Sequence, residues 1–376
     1  MSKQVIVLGV CLGAALVCSY LSWTSEEGTD EDDTIVMLDA DLEDIEKVTW
    51  DSEKLDVVLV GKSDERGDYL WVTTTERKRV PKEKSHDNPD PEAGDPTEHD
   101  GIEGNEDDGT EGQEPPEPPE LPEEDEYEDK VKHFKAGGAG DDLLTSLAPM
   151  EAARVLSGVG EDKYEDFGLT EPDATLTVQR KGKEAKVFKI GGEAYGTRDR
   201  YVLDTGEGIV YLVDQDLLRP LKYATTRLPD RNLTELGKAE ITRVSLSTIC
   251  EPLETDCEGV TVELEQQNAQ DKDNAFWAPV GSDEPSETAE AWLDKALGLK
   301  SASYVQDEDQ PIEIAPKLHL IVQDDETVTT IEISRGVNPD GDETWYARSE
   351  HTRELVRLHR TQASEVVEDV ESVLDI

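Results

Sequence analysis

The chain has 376 residues, with 37 Lys plus Arg against 89 Asp plus Glu, a formal charge of −52. At roughly 100–200 residues per domain this length allows two modest domains, and an apolar fraction of 35% supports packed cores while leaving room for a segment without one. The charge argues against nucleic acid as a partner, because duplex affinity comes largely from Lys and Arg on phosphates, and against a peripheral grip on anionic lipid headgroups.

The first element is a nearly continuous, charge-free apolar run from Val5 to Trp23. Nineteen residues at a rise of about 1.5 Å just span a hydrocarbon core of about 30 Å. Lys3 precedes the run, and Glu26, Glu27, Asp30 and Glu31 follow it. The positive-inside rule therefore keeps the N-terminus cytoplasmic and exports the remainder. Tyr20 and Trp23 fall where an interfacial aromatic belt belongs. The expectation is a transmembrane signal-anchor over residues 1–25. This makes a single-pass protein of the bacterial inner membrane with its bulk in the periplasm. A cleaved signal peptide ending near Ser19 is the alternative. A lipoprotein at Cys18 is a third reading, weakened by Val17 just before the cysteine.

Residues 82–130 are different in composition: 21 acidic residues and eight Pro in 49, with three Lys. Such a segment cannot bury enough apolar surface to offset its ordering entropy, so a disordered, acidic insert is expected. It carries −18 of the charge; the other −34 is spread over the rest of the chain.

Without the insert, two halves show the same succession of elements. The first, 34–235, opens with alternating strands around Ile45, Val48 and Trp50, then Leu55 to Val60, then Trp71. The second, 236–376, opens with Ile241, Val244 and Leu246, then Val260 to Leu264, then Trp277. A short helix follows in each, at 141–147 and 287–297, and then an apolar strand, at 152–156 and 301–305. Next come a hairpin (174–179 with 186–190; 317–322 with 328–333) and an aromatic strand pair (201–203 with 209–213; 345–347 with 355–358). Each half closes on a helix, at 214–221 and 362–374. The pattern predicts an α+β fold: two tandem copies of a mostly antiparallel sheet unit with short helices, after the transmembrane helix. Trp50, Trp71, Trp277 and Trp292 fall at equivalent points and are expected in the cores. Trp345 and Tyr346 adjoin on a strand, so one should face outward, and an edge strand would make it a contact surface.

Of the four Cys, Cys11 and Cys18 lie in the apolar run. Cys250 and Cys257 flank a hairpin-like loop and are candidates for a disulfide after export.

Tyr164, Phe167, Gly168, Leu169 and Pro172 stand before a strand, followed by Ile190, Gly191 and Gly192, then by Tyr201 and Tyr211 on a strand pair, then by Arg231 and Leu233. This succession resembles the aromatic-Gly-Leu-x-x-Pro signature and later steps of the domain of unknown function 4340 family. The second half lacks the signature and has Ile333 and Ser334 where the first has Ile190 and Gly191. The resemblance implies a membrane-anchored extracytoplasmic component, of a kind often associated with gliding-type ABC transporter permeases. It implies no cofactor and no catalytic residues.

A search for chemistry adds little. Gly137 to Asp142 lacks the Lys-Ser/Thr of a phosphate loop. His319 alternates with leucines on a strand, and His351 and His359 are eight apart, no recognised metal spacing. Asn338 to Glu343 gathers oxygen ligands, but a Pro-Asp-Gly turn accounts for it. The expectation is a non-catalytic accessory or binding protein of a membrane assembly. The alternative is a stand-alone structural or surface-binding protein of the cell envelope.

Overall fold

The computed structural model describes residues 35–80, 126–249, 259–271 and 274–374. The transmembrane expectation at 1–25, most of the acidic insert, and the pair Cys250 and Cys257 lie outside these residues. No helix among the described residues is long and apolar enough to cross a membrane.

The first part runs β1 (Ile35–Leu38), β2 (Ile45–Ser52), β3 (Leu55–Asp64), β4 (Gly67–Val80), β5 (Glu126–Lys135) and α1 (Gly138–Ser146). It continues with β6 (Met150–Ala152), β7 (Arg154–Leu156), β8 (Ala174–Arg180), β9 (Lys186–Glu193), β10 (Arg200–Asp204), β11 (Ile209–Val213), α2 (Gln215–Lys222) and α3 (Ala224–Arg227). The second part runs β12 (Arg243–Thr248), β13 (Thr261–Gln267), β14 (Phe276–Pro279), α4 (Glu287–Leu297) and β15 (Ser301–Tyr304). It ends with β16 (Glu313–Gln323), β17 (Val328–Val337), β18 (Glu343–Ser349), β19 (Val356–Leu358), α5 (Arg360–Glu368) and α6 (Val370–Leu374).

The architecture is α+β and dominated by two large antiparallel sheets. One has the order β5-β4-β3-β2-β8-β9-β10-β11-β7 and the other β14-β13-β12-β16-β17-β18-β19-β15. Apart from β5 the two orders match strand for strand. Alternation sets the buried face: Val48 and Trp50 on β2 pair with Val178 and Leu176 on β8, and Val244 and Leu246 on β12 pair with Val322 and Leu320 on β16. Helix α4 begins at Ser286, whose Oγ accepts from the Ala289 N–H at 3.2 Å, and buries Ala289, Trp292, Leu293 and Ala296. Buried apolar side chains of both sheets join in one continuous core.

Three expectations change. Residues 126–130 belong to β5, a ten-residue strand paired with β4, and not to the insert. Period-2 alternation there is masked by acidic residues on a sheet edge, where charge is tolerated. Trp71 is half-buried, its ring edge-on to Tyr69 at 6.2 Å and under the Lys62 ammonium at 4.7 Å, whereas Trp50, Trp277 and Trp292 are buried. Finally, β18 lies between β17 and β19, so it is no edge; Tyr346 is buried and Trp345 is half-buried against the core.

Candidate functional site

A cleft of about 560 Å³ opens at one end of the nine-stranded sheet. Its first wall is the β2–β3 turn. Ser52 Oγ donates to the Leu55 carbonyl at 2.7 Å and accepts from the Leu55 N–H at 3.2 Å. Arg77 on β4 fastens the turn from outside: its Nη1 donates to the Ser52 carbonyl at 2.6 Å and its N–H to the Lys54 carbonyl at 3.0 Å. Glu53 and Lys54 are thereby presented at the tip, both exposed.

The second wall is α2 with Tyr223. Asp214 caps the helix, its Oδ1 accepting from the Asp216 N–H at 2.8 Å. Leu218 and Leu221 are buried on one face; Arg219 and Lys222 are exposed on the other. The third wall is the segment Glu171 to Asp173, and the floor is apolar, formed by Trp50, Leu55, Ile190 and Leu218. Arg200 on β10 lies under the mouth, largely buried and ion-paired with Asp173. A pocket of this size, apolar below and charged at the rim, has the dimensions and character of a small-ligand site.

The signature residues build the third wall from behind. Gly168 has φ +67°, a left-handed conformation that favours glycine. It lets the chain turn so that the Leu169 N–H donates to the Tyr164 carbonyl at 2.8 Å and the Phe167 carbonyl accepts from the Gly192 N–H at 2.8 Å. A Cβ on Gly191 would stand 2.3 Å from the Phe167 oxygen, so only glycine permits the approach. The Phe167 and Tyr201 rings meet at 4.4 Å, over a small cluster in which Leu169 is fully buried with Leu203 and Val210. Pro172 then reaches the cleft, and the Asp173 N–H donates to the Ile190 carbonyl at 2.8 Å.

The remaining signature positions lie elsewhere. Tyr211 on β11 is buried, and burial, followed by Glu207 and Asp204, raises its pKa. Beside it Lys186 holds the fully buried Asp204 at 2.5 Å and Glu207 at 2.8 Å. Burial works to lower the Lys186 pKa, and the bonds to Asp204 and Glu207 outweigh it and raise it. Arg231 is exposed, and its carbonyl accepts from the Ser301 N–H at 2.8 Å, tying the first half to β15.

Sequence reasoning missed a buried charge cluster at the same junction. Asp230 Oδ2 accepts from Lys135 Nζ at 2.9 Å and from His351 Nε2 at 2.7 Å, and Asp230 Oδ1 accepts from the Asn232 N–H at 3.0 Å. The side chains are 6%, 12% and 10% exposed for Asp230, Lys135 and His351. Burial favours the neutral acid, but the His351, Asn232 and Lys135 bonds outweigh it and hold the Asp230 carboxyl far below the usual carboxylate range. Tyr304 is buried nearby; burial, then the Asp230 charge, pushes its pKa up. The rest of the β18–β19 turn follows suit: Arg353, at φ +64°, pairs with Asp64 at 2.9 Å and lies 5.1 Å from the Tyr69 ring. The cluster ties β5 of the first sheet and the loop after α3 to the β18–β19 turn of the second. The only sequence signal was Asp230 two residues before Asn232, an Asx-turn spacing.

Other candidates resolve locally. His319 Nε2 faces Glu332 at 3.0 Å on the surface. Asn338 to Glu343 is a turn in which Asn338 Oδ1 accepts from the Asp342 N–H at 2.7 Å and Gly341 has φ +88°. Among the described residues no group of three or more His, Cys, Asp or Glu is placed to hold a metal ion.

No curated protein and no solved structure is significantly similar to the chain. A family model does match, over residues 138–314. That stretch holds the signature loop, α2 and Arg200, but not the β2–β3 turn, so the cleft is built partly from residues outside the matched segment. The matched segment, a little under half of the chain, is thus similar to the family described as Domain of unknown function (DUF4340), the one its signature resembled.

Proposed function

We propose that the chain is a non-catalytic binding or accessory protein, anchored by its N-terminal segment on the extracytoplasmic side of a membrane and working beside an ABC transporter permease through protein–protein contacts. The observation that supports the binding role is the cleft of about 560 Å³ walled by the β2–β3 turn, the signature loop and α2. Its walls are fixed by backbone and side-chain hydrogen bonds, so it is pre-formed, which limits the ordering cost of binding. The anchor rests on the charge-free run Val5 to Trp23, and the transporter on the family resemblance.

The test is a detergent-solubilised pull-down of the full-length chain, with mass spectrometry of the co-purifying proteins. Recovery of a permease or its ATPase is the expected result. Recovery of envelope polymer alone would replace this reading with that of a stand-alone surface protein.

A further inference from the structure

We propose that the cleft takes a zwitterionic ligand with an apolar body: a free amine and a free carboxylate flanking a hydrophobic side chain, as in a short unblocked peptide or an apolar amino acid. The proposal deepens the binding-protein reading by naming what the cleft recognises. It begins from the charges on the lining that the protein itself does not neutralise. Arg200 and Asp173 are paired with each other. Glu53 and Lys54 are sequence neighbours on one turn and cancel locally. Glu171 on the signature loop has no cationic partner among the described residues, so that wall carries an uncompensated negative charge. On α2 the sign is opposite. Lys222 has no carboxylate partner among the described residues, and its ammonium lies 6.0 Å from the Tyr223 ring. Arg219 meets only Asp216 at 3.5 Å, with both side chains about half or more exposed, a contact of little strength.

Two segments of the lining therefore carry unlike charges, and the same cleft is lined by Trp50, Ile190 and Leu218, all buried. A simple anion would suit α2 and be repelled at Glu171; a simple cation would meet the reverse. A ligand carrying both charges satisfies both walls at once, and its apolar body covers the floor. In a chain with 89 acidic and 37 basic residues, the unpaired Lys222 and the weakly paired Arg219 lie together on the lining and mark where the ligand carboxylate goes.

The experiment is calorimetric titration of the full-length protein in detergent with four probes: Phe-Leu-Phe, its N-acetylated form, its C-amidated form, and free leucine. The unblocked tripeptide is expected to bind, and each block to weaken it at least tenfold. Glu171→Gln should remove the N-acetyl penalty alone, and Arg219→Met with Lys222→Met the C-amide penalty alone. These positions are exposed, and near-ultraviolet circular dichroism checks that each variant stays folded. Leucine binding as tightly as the tripeptide would assign the site to amino acids within the same chemistry. Failure of every probe, or equal binding of blocked and unblocked forms to the unaltered protein, overturns the proposal. A pull-down without a permease leaves this titration standing, so the two readings fail separately.

Discussion

Replacing Asp230 by Ala should cost more than any surface change, and its size can be worked from the structure. The carboxylate receives three hydrogen bonds, two of them from Lys135 and His351, and all three side chains are at least 88% buried. Removing one partner leaves the Lys135 ammonium desolvated without an opposite charge, a loss of about 3–5 kcal/mol for a buried pair. That is a large part of a typical folding free energy of roughly 5–15 kcal/mol. With an unfolding entropy near 2.1 cal/mol/K per residue, 3 kcal/mol corresponds to a fall in Tm of about 5 °C for a folded part of this size. The assay is urea and thermal unfolding of Asp230→Ala, Lys135→Met and the double variant. The double variant should recover most of the loss, because the stranded charge is gone. The pH dependence has a definite sign. The folded pKa of Asp230 is depressed, so its contribution is fully present above the unfolded value of about 3.9 and is lost as pH falls below it. Asp230→Ala should therefore flatten the acid limb of the stability curve. A loss under about 1 kcal/mol, or an unchanged acid limb, would refute the reasoning that this cluster joins the sheets.

Two further predictions concern the first sheet. Gly191→Ala places a methyl 2.3 Å from the Phe167 oxygen and 2.9 Å from a Leu169 methyl, so it should destabilise by roughly 1–3 kcal/mol in urea unfolding, while Gly61→Ala, in open space, serves as the control. Lys186→Met strands the fully buried Asp204 and should cost about 3 kcal/mol at neutral pH. The raised Lys186 pKa makes that pair's contribution complete below the ordinary lysine value and lost as pH rises through the folded one, so the gap between Lys186→Met and the unaltered protein should narrow only at strongly alkaline pH.

Much of the succession of strands along the chain was legible from the residues because period-2 alternation is a local signal. Leu318, Leu320 and Val322, or Val48 and Trp50, state which face is buried without any knowledge of neighbours. The same holds for the helix at Glu287–Leu297, where cap and spacing agree, and for the signature loop, where the need for glycine at 168 and 191 is a backbone property. What the sequence could not determine is set by which strands become neighbours. Whether Trp345 faces an edge depends on β19 pairing beside β18, and the strand Glu126–Lys135 is recognisable only once β4 is there to receive it. The cleft needs residues 50–55, 171–173, 190, 200 and 215–223, and the junction needs Lys135, Asp230 and His351, which are 95 and 216 residues from the lysine. Contacts across such separations carry no local pattern; only the closure of the two sheets upon one core brings those charges together, and burial then gives them their strength.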